Sequence, residues 1–127
     1  MMSPLDTRIA FFGGAAQPAV IEAIVKLKTA GFDVIVASHD PREAPALRDA
    51  GVTFIDDRME ALLGSQVVIT SLHTATDVEN LYLGDEGLLE LMDPGTYCID
   101  LSVSSPRLAR EIQAVAAVSD IEVLDAP

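Results

Sequence analysis

Short apolar runs alternate along this chain with stretches in which apolar residues recur every three or four positions. Residues 8–12, 34–37, 52–55, 67–70, 97–101 and 121–124 are the short runs. Apolar character that persists through a run, rather than alternating, predicts strands covered on both faces. Between the first two runs, Val20, Ile21, Ile24, Val25 and Leu27 fall at helical spacing. Pro18 suits the first turn of that helix and Gly31 its stop. Residues 43–50 predict a short helix ended by Gly51. Met59, Leu62 and Leu63 form a brief helical stripe before Gly64. Residues 74–83 and 86–92 predict two helix pieces. Ser105 is an N-cap ahead of Pro106, with Leu108, Ile112 and Val115 as the predicted buried face. Strict strand–helix alternation predicts a parallel sheet joined by right-handed crossovers. The expected fold is therefore α/β: a doubly wound, mainly parallel sheet of about six strands in a three-layer sandwich.

At 127 residues the chain is one domain by length, with residues 1–7 expected as a flexible N-terminus and residues 8–127 as the folded unit. Half of the residues are hydrophobic, enough for a substantial core, and 22 % are charged, near the globular norm. The formal net charge of −12 argues against nucleic acid and against anionic membrane surfaces. No apolar run approaches the ~20 residues of a membrane span. The N-terminus lacks the regions of a signal peptide. The expected compartment is the cytoplasm. Cys98 is alone in an apolar strand, so it is expected to behave as a small core hydrophobe.

A doubly wound sheet binds ligands beyond the C-terminal ends of its strands, where strand order reverses. Several constellations follow strands. The first is the turn Gly13-Gly14-Ala15-Ala16-Gln17-Pro18. A dinucleotide site needs a tight turn, close backbone approach to pyrophosphate and a helix N-terminus aimed at it. In the G-x-G-x-x-G spacing the matching positions are Gly13, Ala15 and Pro18, so one of three glycines is present. A plain strand-to-helix turn is the competing reading. The second is Ser38-His39-Asp40: Ser38 and His39 suit a ribose 2′-phosphate, Asp40 a free diol, and a solvated loop is the alternative. The third is Thr70-Ser71-Leu72-His73-Thr74, whose lone histidine is more often a cap or surface residue than a catalyst. The fourth is Asp100-Leu101-Ser102-Val103-Ser104-Ser105. Asp56-Asp57 reads as a helix cap rather than a metal site, and no metal is expected. No nucleophilic triad is present in the pattern.

Taken in order, these segments resemble the β-hydroxyacid dehydrogenase family, meaning 3-hydroxyisobutyrate dehydrogenase and the NAD-binding domain of 6-phosphogluconate dehydrogenase. The resemblance runs from Arg8 onward. It is carried by Val67-Val68-Ile69-Thr70-Ser71-Leu72, Leu83-Gly84-Asp85-Glu86-Gly87-Leu88-Leu89, Asp93-Pro94-Gly95, Asp100-Leu101-Ser102, Ser105-Pro106, Ala109-Arg110-Glu111 and Leu124-Asp125-Ala126-Pro127. It implies a Rossmann-like cofactor domain and reversible oxidation of a 3-hydroxy acid by NADP or NAD, with a slight lean to NADP from Ser38 and His39. By position, Gly13, Gly14, Ala15, Ala16 and Gln17 would hold the pyrophosphate. Ser38 and His39 would meet the adenosine ribose. Leu72, His73, Ser102 and Val103 would line the nicotinamide side, with Ser102 a candidate substrate contact. No residue is expected as the catalytic base.

The chain departs from the family at Ala15 and Pro18, which replace glycines. It departs also at His39 for arginine, His73 for proline and Val103 for threonine. The resemblance further implies that a catalytic lysine and a helical substrate and dimerisation domain would follow Pro127. The expectation is thus a cofactor-binding fragment, inactive alone, of an oxidoreductase acting on a small hydroxy acid. Apolar surface near residues 121–124 would then favour self-association as a homodimer. The competing expectation is a non-catalytic binding or scaffold domain with a decayed cofactor loop. A flavodoxin-like receiver is disfavoured, since the first strand ends in glycines rather than paired acids.

Overall fold

The computed structural model describes residues 7–13, 17–37, 45–102 and 105–126. Six strands form one sheet: β1 (Arg8–Gly13), β2 (Asp33–Ala37), β3 (Thr53–Phe54), β4 (Val67–Ser71), β5 (Tyr97–Asp100) and β6 (Glu122–Asp125). Their spatial order is β3-β2-β1-β4-β5-β6, and every pairing is parallel. Among the described residues six helices connect them: α1 (Pro18–Thr29), α2 (Pro45–Asp49), α3 (Arg58–Leu62), α4 (Ala75–Leu83), α5 (Leu88–Leu91) and α6 (Pro106–Val118). This is the doubly wound Rossmann-like order, and the chain reverses direction across the sheet between β1 and β4.

Alternate residues of each strand feed two separate cores. Ala10, Phe12, Ile35, Val68 and Cys98 face one side, where α3, α4, α5 and α6 contribute Ala61, Leu62, Val78, Leu88 and Ile112. Ile9, Phe11, Val34 and Val36 face the other, under Val20 and Ile24 of α1 and Leu47 of α2. The right-handed crossovers dictate this division, because steps from β1 toward β3 and steps from β4 toward β6 run in opposite directions. Among the described residues, the second face is consequently bare beyond β4. Tyr97 and Leu124 stand there with 47 % and 59 % of their surface exposed, beside an open groove of about 480 Å³ that also touches Val67 and Ile99.

The expected elements all form, with local corrections. Of the helical stripe Met59, Leu62 and Leu63, Leu62 is buried, beside Ala61, while Met59 and Leu63 are exposed. On α6 the third buried position is Ala116 rather than Val115, which is exposed. A helix turns 100° per residue, and the Leu108–Ile112 row continues to position 116. β3 is an edge strand paired with β2 alone, and only two residues long. Thr7 is buried, and its carbonyl accepts from the Asp33 amide at 3.2 Å, so the sheet's order begins one residue before β1.

Candidate functional site

Three strands end side by side at the reversal point. Gly13 of β1 is in register with Ser71 of β4, and Thr70 of β4 with Asp100 of β5. Gly13 has φ +79°, and a Cβ there would strike the Ser71 carbonyl oxygen and crowd Leu72 Cδ2. Only glycine meets both demands. The glycine therefore brings the end of β1 tight against the end of β4.

Gln17 is the N-cap residue of α1 but does not cap it. Its side-chain oxygen instead accepts from Ser71 Oγ at 3.1 Å, a second tie between the first turn and β4. The first turn of α1 carries no acidic residue and no side-chain acceptor. The contrast with α4 and α6 is plain: Thr74 accepts from the Asp77 amide at 3.1 Å, and Ser105 from the Leu108 amide at 3.1 Å. At α1 the Gln17 carbonyl takes the Val20 and Ile21 amides, each at 3.0 Å, and with no side-chain cap the first-turn amides and the positive dipole end make a setting suited to a phosphate. Pro18 at the first position removes one donor from that set.

The ends of β4 and β5 are joined by buried polar contacts. Thr70 Oγ1 donates to Asp100 Oδ1 at 3.0 Å and lies 2.7 Å from the Tyr82 hydroxyl of α4. The Ser102 amide donates to the same Asp100 oxygen at 3.0 Å. Ser102 Oγ accepts from the Leu72 amide at 2.7 Å. Thr70, Ser71, Tyr82, Asp100 and Ser102 are all buried. Burial pushes the Tyr82 phenol well above its ordinary value; the neighbouring Cys98 and Asp100 add to that, while the Thr70 hydrogen bond works against it. Burial, and then Asp100, push the Cys98 thiol up to about 12. Cys98 is thus a protonated core residue beside Met92, its Sγ 3.3 Å from Met92 Sδ.

Of the predicted contacts, Gly13, Gln17, Leu72 and Ser102 are drawn together at this crest. His73 follows Leu72 and is exposed. Gly14, Ala15, Ala16, Ser38, His39 and Val103 lie outside the described residues, as do Asp40 and Ser104. Asp57 caps α3 by accepting from the Glu60 amide at 2.9 Å. Among the described residues, no three His, Cys, Asp or Glu side chains cluster in a way that could hold a metal. No described helix is long and apolar enough to cross a membrane. Sequence reading did not single out Tyr82. One signal pointing toward it was Thr70, a polar residue inside an apolar run that demands a buried partner.

The family described as the NAD binding domain of 6-phosphogluconate dehydrogenase matches residues 22–127, from within α1 to the last residue. A probable 3-hydroxyisobutyrate dehydrogenase-like protein of Arabidopsis thaliana is 34 % identical over the whole chain, which spans 39 % of that relative. Among solved structures, the Mycobacterium tuberculosis 3-hydroxyisobutyrate dehydrogenase with L-serine is 34 % identical with a TM-score of 0.77. The match covers 95 % of this chain and 40 % of that one. A variant imine reductase of Myxococcus stipitatus in complex with NAD+ is 25 % identical, with a TM-score of 0.74 and coverage of 98 % and 40 %.

Proposed function

The chain belongs to the family of the NAD binding domain of 6-phosphogluconate dehydrogenase, and from that premise we propose that its crest binds a nicotinamide dinucleotide for oxidation of a small 3-hydroxy acid. The observation that carries the reading is the uncapped N-terminus of α1, set beside the Gly13–Ser71 contact at the reversal point of the sheet. These residues fit a pyrophosphate: the chain carries a net charge of −12, yet no acid stands in the first turn of α1. Gly13, Gly14, Ala15, Ala16 and Gln17 would hold the pyrophosphate. Ser38 and His39 would take the adenosine ribose and, with it, a preference for NADP. Leu72, His73, Ser102 and Val103 would line the nicotinamide end.

When bound, the cofactor supplies the hydride acceptor; the protein's part is binding, orientation and exclusion of water. A general base must reach the hydroxyl proton. The chain's lysines, Lys26 and Lys28, lie in the last turn of α1, at the end of that helix away from the crest. The chain alone is therefore proposed to bind cofactor without turning over substrate. The lysine and the helical substrate domain would come from residues beyond these. A cytoplasmic setting goes with the reading, as does self-association through the bare β5–β6 face.

Titration with NADPH and with NADH, followed by nicotinamide fluorescence, tests the proposal. Saturable binding is expected, tighter for NADPH. No binding of either at millimolar ligand would place a non-catalytic scaffold first. Pro18, which removes a phosphate donor, favours that second reading.

A further inference from the structure

The direction of the hydrogen bonds at the β4–β5 crest is fixed by counting hydrogens. Thr70 has one hydroxyl hydrogen, and it is given to Asp100 Oδ1. Its 2.7 Å contact with Tyr82 must then be accepted, so the Tyr82 phenol donates. Donors thus converge on one buried carboxylate: Tyr82 through Thr70 from one side, and the Ser102 amide from the other. Ser102, held by that amide, turns its Oγ to the Leu72 amide at 2.7 Å.

The fold has no need of a carboxylate here. Asp100 is 5 % exposed, at the end of a strand whose other inward residue is Cys98. Its register partner on β6 is a second acid, Asp125, whose Oδ1 is buried without a hydrogen-bond partner. Burying such groups costs stability, and an apolar pair of similar volume commonly does better. What the carboxylate achieves is local: it fixes Ser102, and through Ser102 the first residue after β4.

We propose that Asp100, anchored by Tyr82 through Thr70, is a positioning residue that sets the Leu72–His73 segment for the nicotinamide end of the cofactor. The inference rests on the cofactor reading above. It assigns Ser102 first to the Leu72 amide, and it gives Tyr82 a role far from any ligand.

The test compares Asp100→Leu, which removes the acceptor but keeps the branched shape, with Tyr82→Phe, Ser102→Ala and Ser102→Thr in the intact chain. Two ligands are titrated, NADH and ADP-ribose, the second lacking the nicotinamide. Amide exchange at Leu72 is followed by NMR without ligand. Asp100→Leu and Ser102→Ala are expected to weaken NADH about tenfold, and Tyr82→Phe about threefold. ADP-ribose affinity stays within about twofold. Leu72 exchange speeds up in the same order, and Ser102→Thr, which keeps the acceptor, restores both readouts. Equal losses for NADH and ADP-ribose would mean general loosening and overturn the proposal. So would unchanged Leu72 exchange in Asp100→Leu. Should the parent chain bind neither NADH nor NADPH, the cofactor reading falls, and the ligand half of this proposal with it. Faster Leu72 exchange in Asp100→Leu would still establish the hold on the segment, because that readout needs no ligand.

Discussion

The two halves of the sheet meet opposite requirements. The β3-β2-β1 half is covered on both faces, by α1 and α2 on one and by α3 on the other, yet its crest begins a helix with no side-chain cap. The β4-β5-β6 half locks its crest with buried hydrogen bonds and, among the described residues, leaves one face of β5 and β6 open. A helix start without a side-chain cap suits an anion, and a carboxylate that gathers donors stiffens the edge it stands on. A dinucleotide needs both: a place for its diphosphate, and a fixed wall for the ring that reacts.

The halves are stitched at Gly13, so the sharpest way to break the comparison is there. Gly13→Ala puts a Cβ into the Ser71 carbonyl while φ stays at +79°. Left-handed backbone alone costs about 1–2 kcal/mol for a residue with a side chain, and the clash adds to it. A total loss of about 2–4 kcal/mol is expected, read as a fall in the urea midpoint with unchanged m-value. Cofactor binding should disappear with it, since the α1 turn and the β4 end would part. Retained stability in the variant would show that the close approach is not needed.

Thr70→Val comes next, and it unpicks the second half alone. It leaves the Tyr82 phenol without an acceptor and Asp100 short of a donor in a buried site. The expected cost is about 1–3 kcal/mol, again by urea unfolding. If the loss matches that of a surface threonine, the network contributes nothing net.

How far the sequence foretold these two halves follows the same division. The strands, the helices between them and the parallel doubly wound sheet were legible, because apolar runs and helical spacing report burial directly; the order β3-β2-β1-β4-β5-β6 came only with the fold. The two helix faces misread, at Leu63 and Val115, lie where one residue of phase decides exposure and a smaller alanine fills the inner position. The tight turn after β1 was legible in kind, through Gly13 and the Pro18 helix start. That Gln17 reaches Ser71 rather than capping α1 was not, since only the fold brings positions 17 and 71 together. Asp100 and Ser102 could be marked as strand-end residues. Tyr82, which reaches Asp100 through Thr70, sits in a helix among apolar neighbours, where its phenol looks like any core aromatic.

High pH is the third probe, and it too acts on the second half. The Cys98 thiol moves from an ordinary 9.0 to about 12 on folding, mainly through burial. A folded value above the unfolded one means the unfolded chain loses its proton first. Stability is thus fully present below about pH 9 and declines as pH rises toward about 12. Tyr82, raised for the same reason, adds to the decline from about pH 10 upward. Cys98→Ala should flatten the first part of this loss, and Tyr82→Phe the second, in urea midpoints measured across the window. The same burial predicts slow alkylation of Cys98 in the native chain and fast alkylation in urea.

The smallest effect on stability, and the cleanest separation of the two halves, belongs to the bare face. Leu124 is 59 % exposed and takes no part in the crest, so Leu124→Lys should change monomer stability by under about 0.5 kcal/mol. Its effect should fall on association instead. Tyr97, Ile99 and Leu124 give an otherwise strongly acidic chain an apolar patch, and apolar patches of this kind tend to find cover. Sedimentation of the parent chain should show a concentration-dependent dimer, which Leu124→Lys weakens while NADPH affinity stays put. A parent chain that remains monomeric at high concentration would show that this face needs a different partner. A variant that lost cofactor affinity along with the dimer would show that face and crest are not independent, and the division between cover and chemistry would fail.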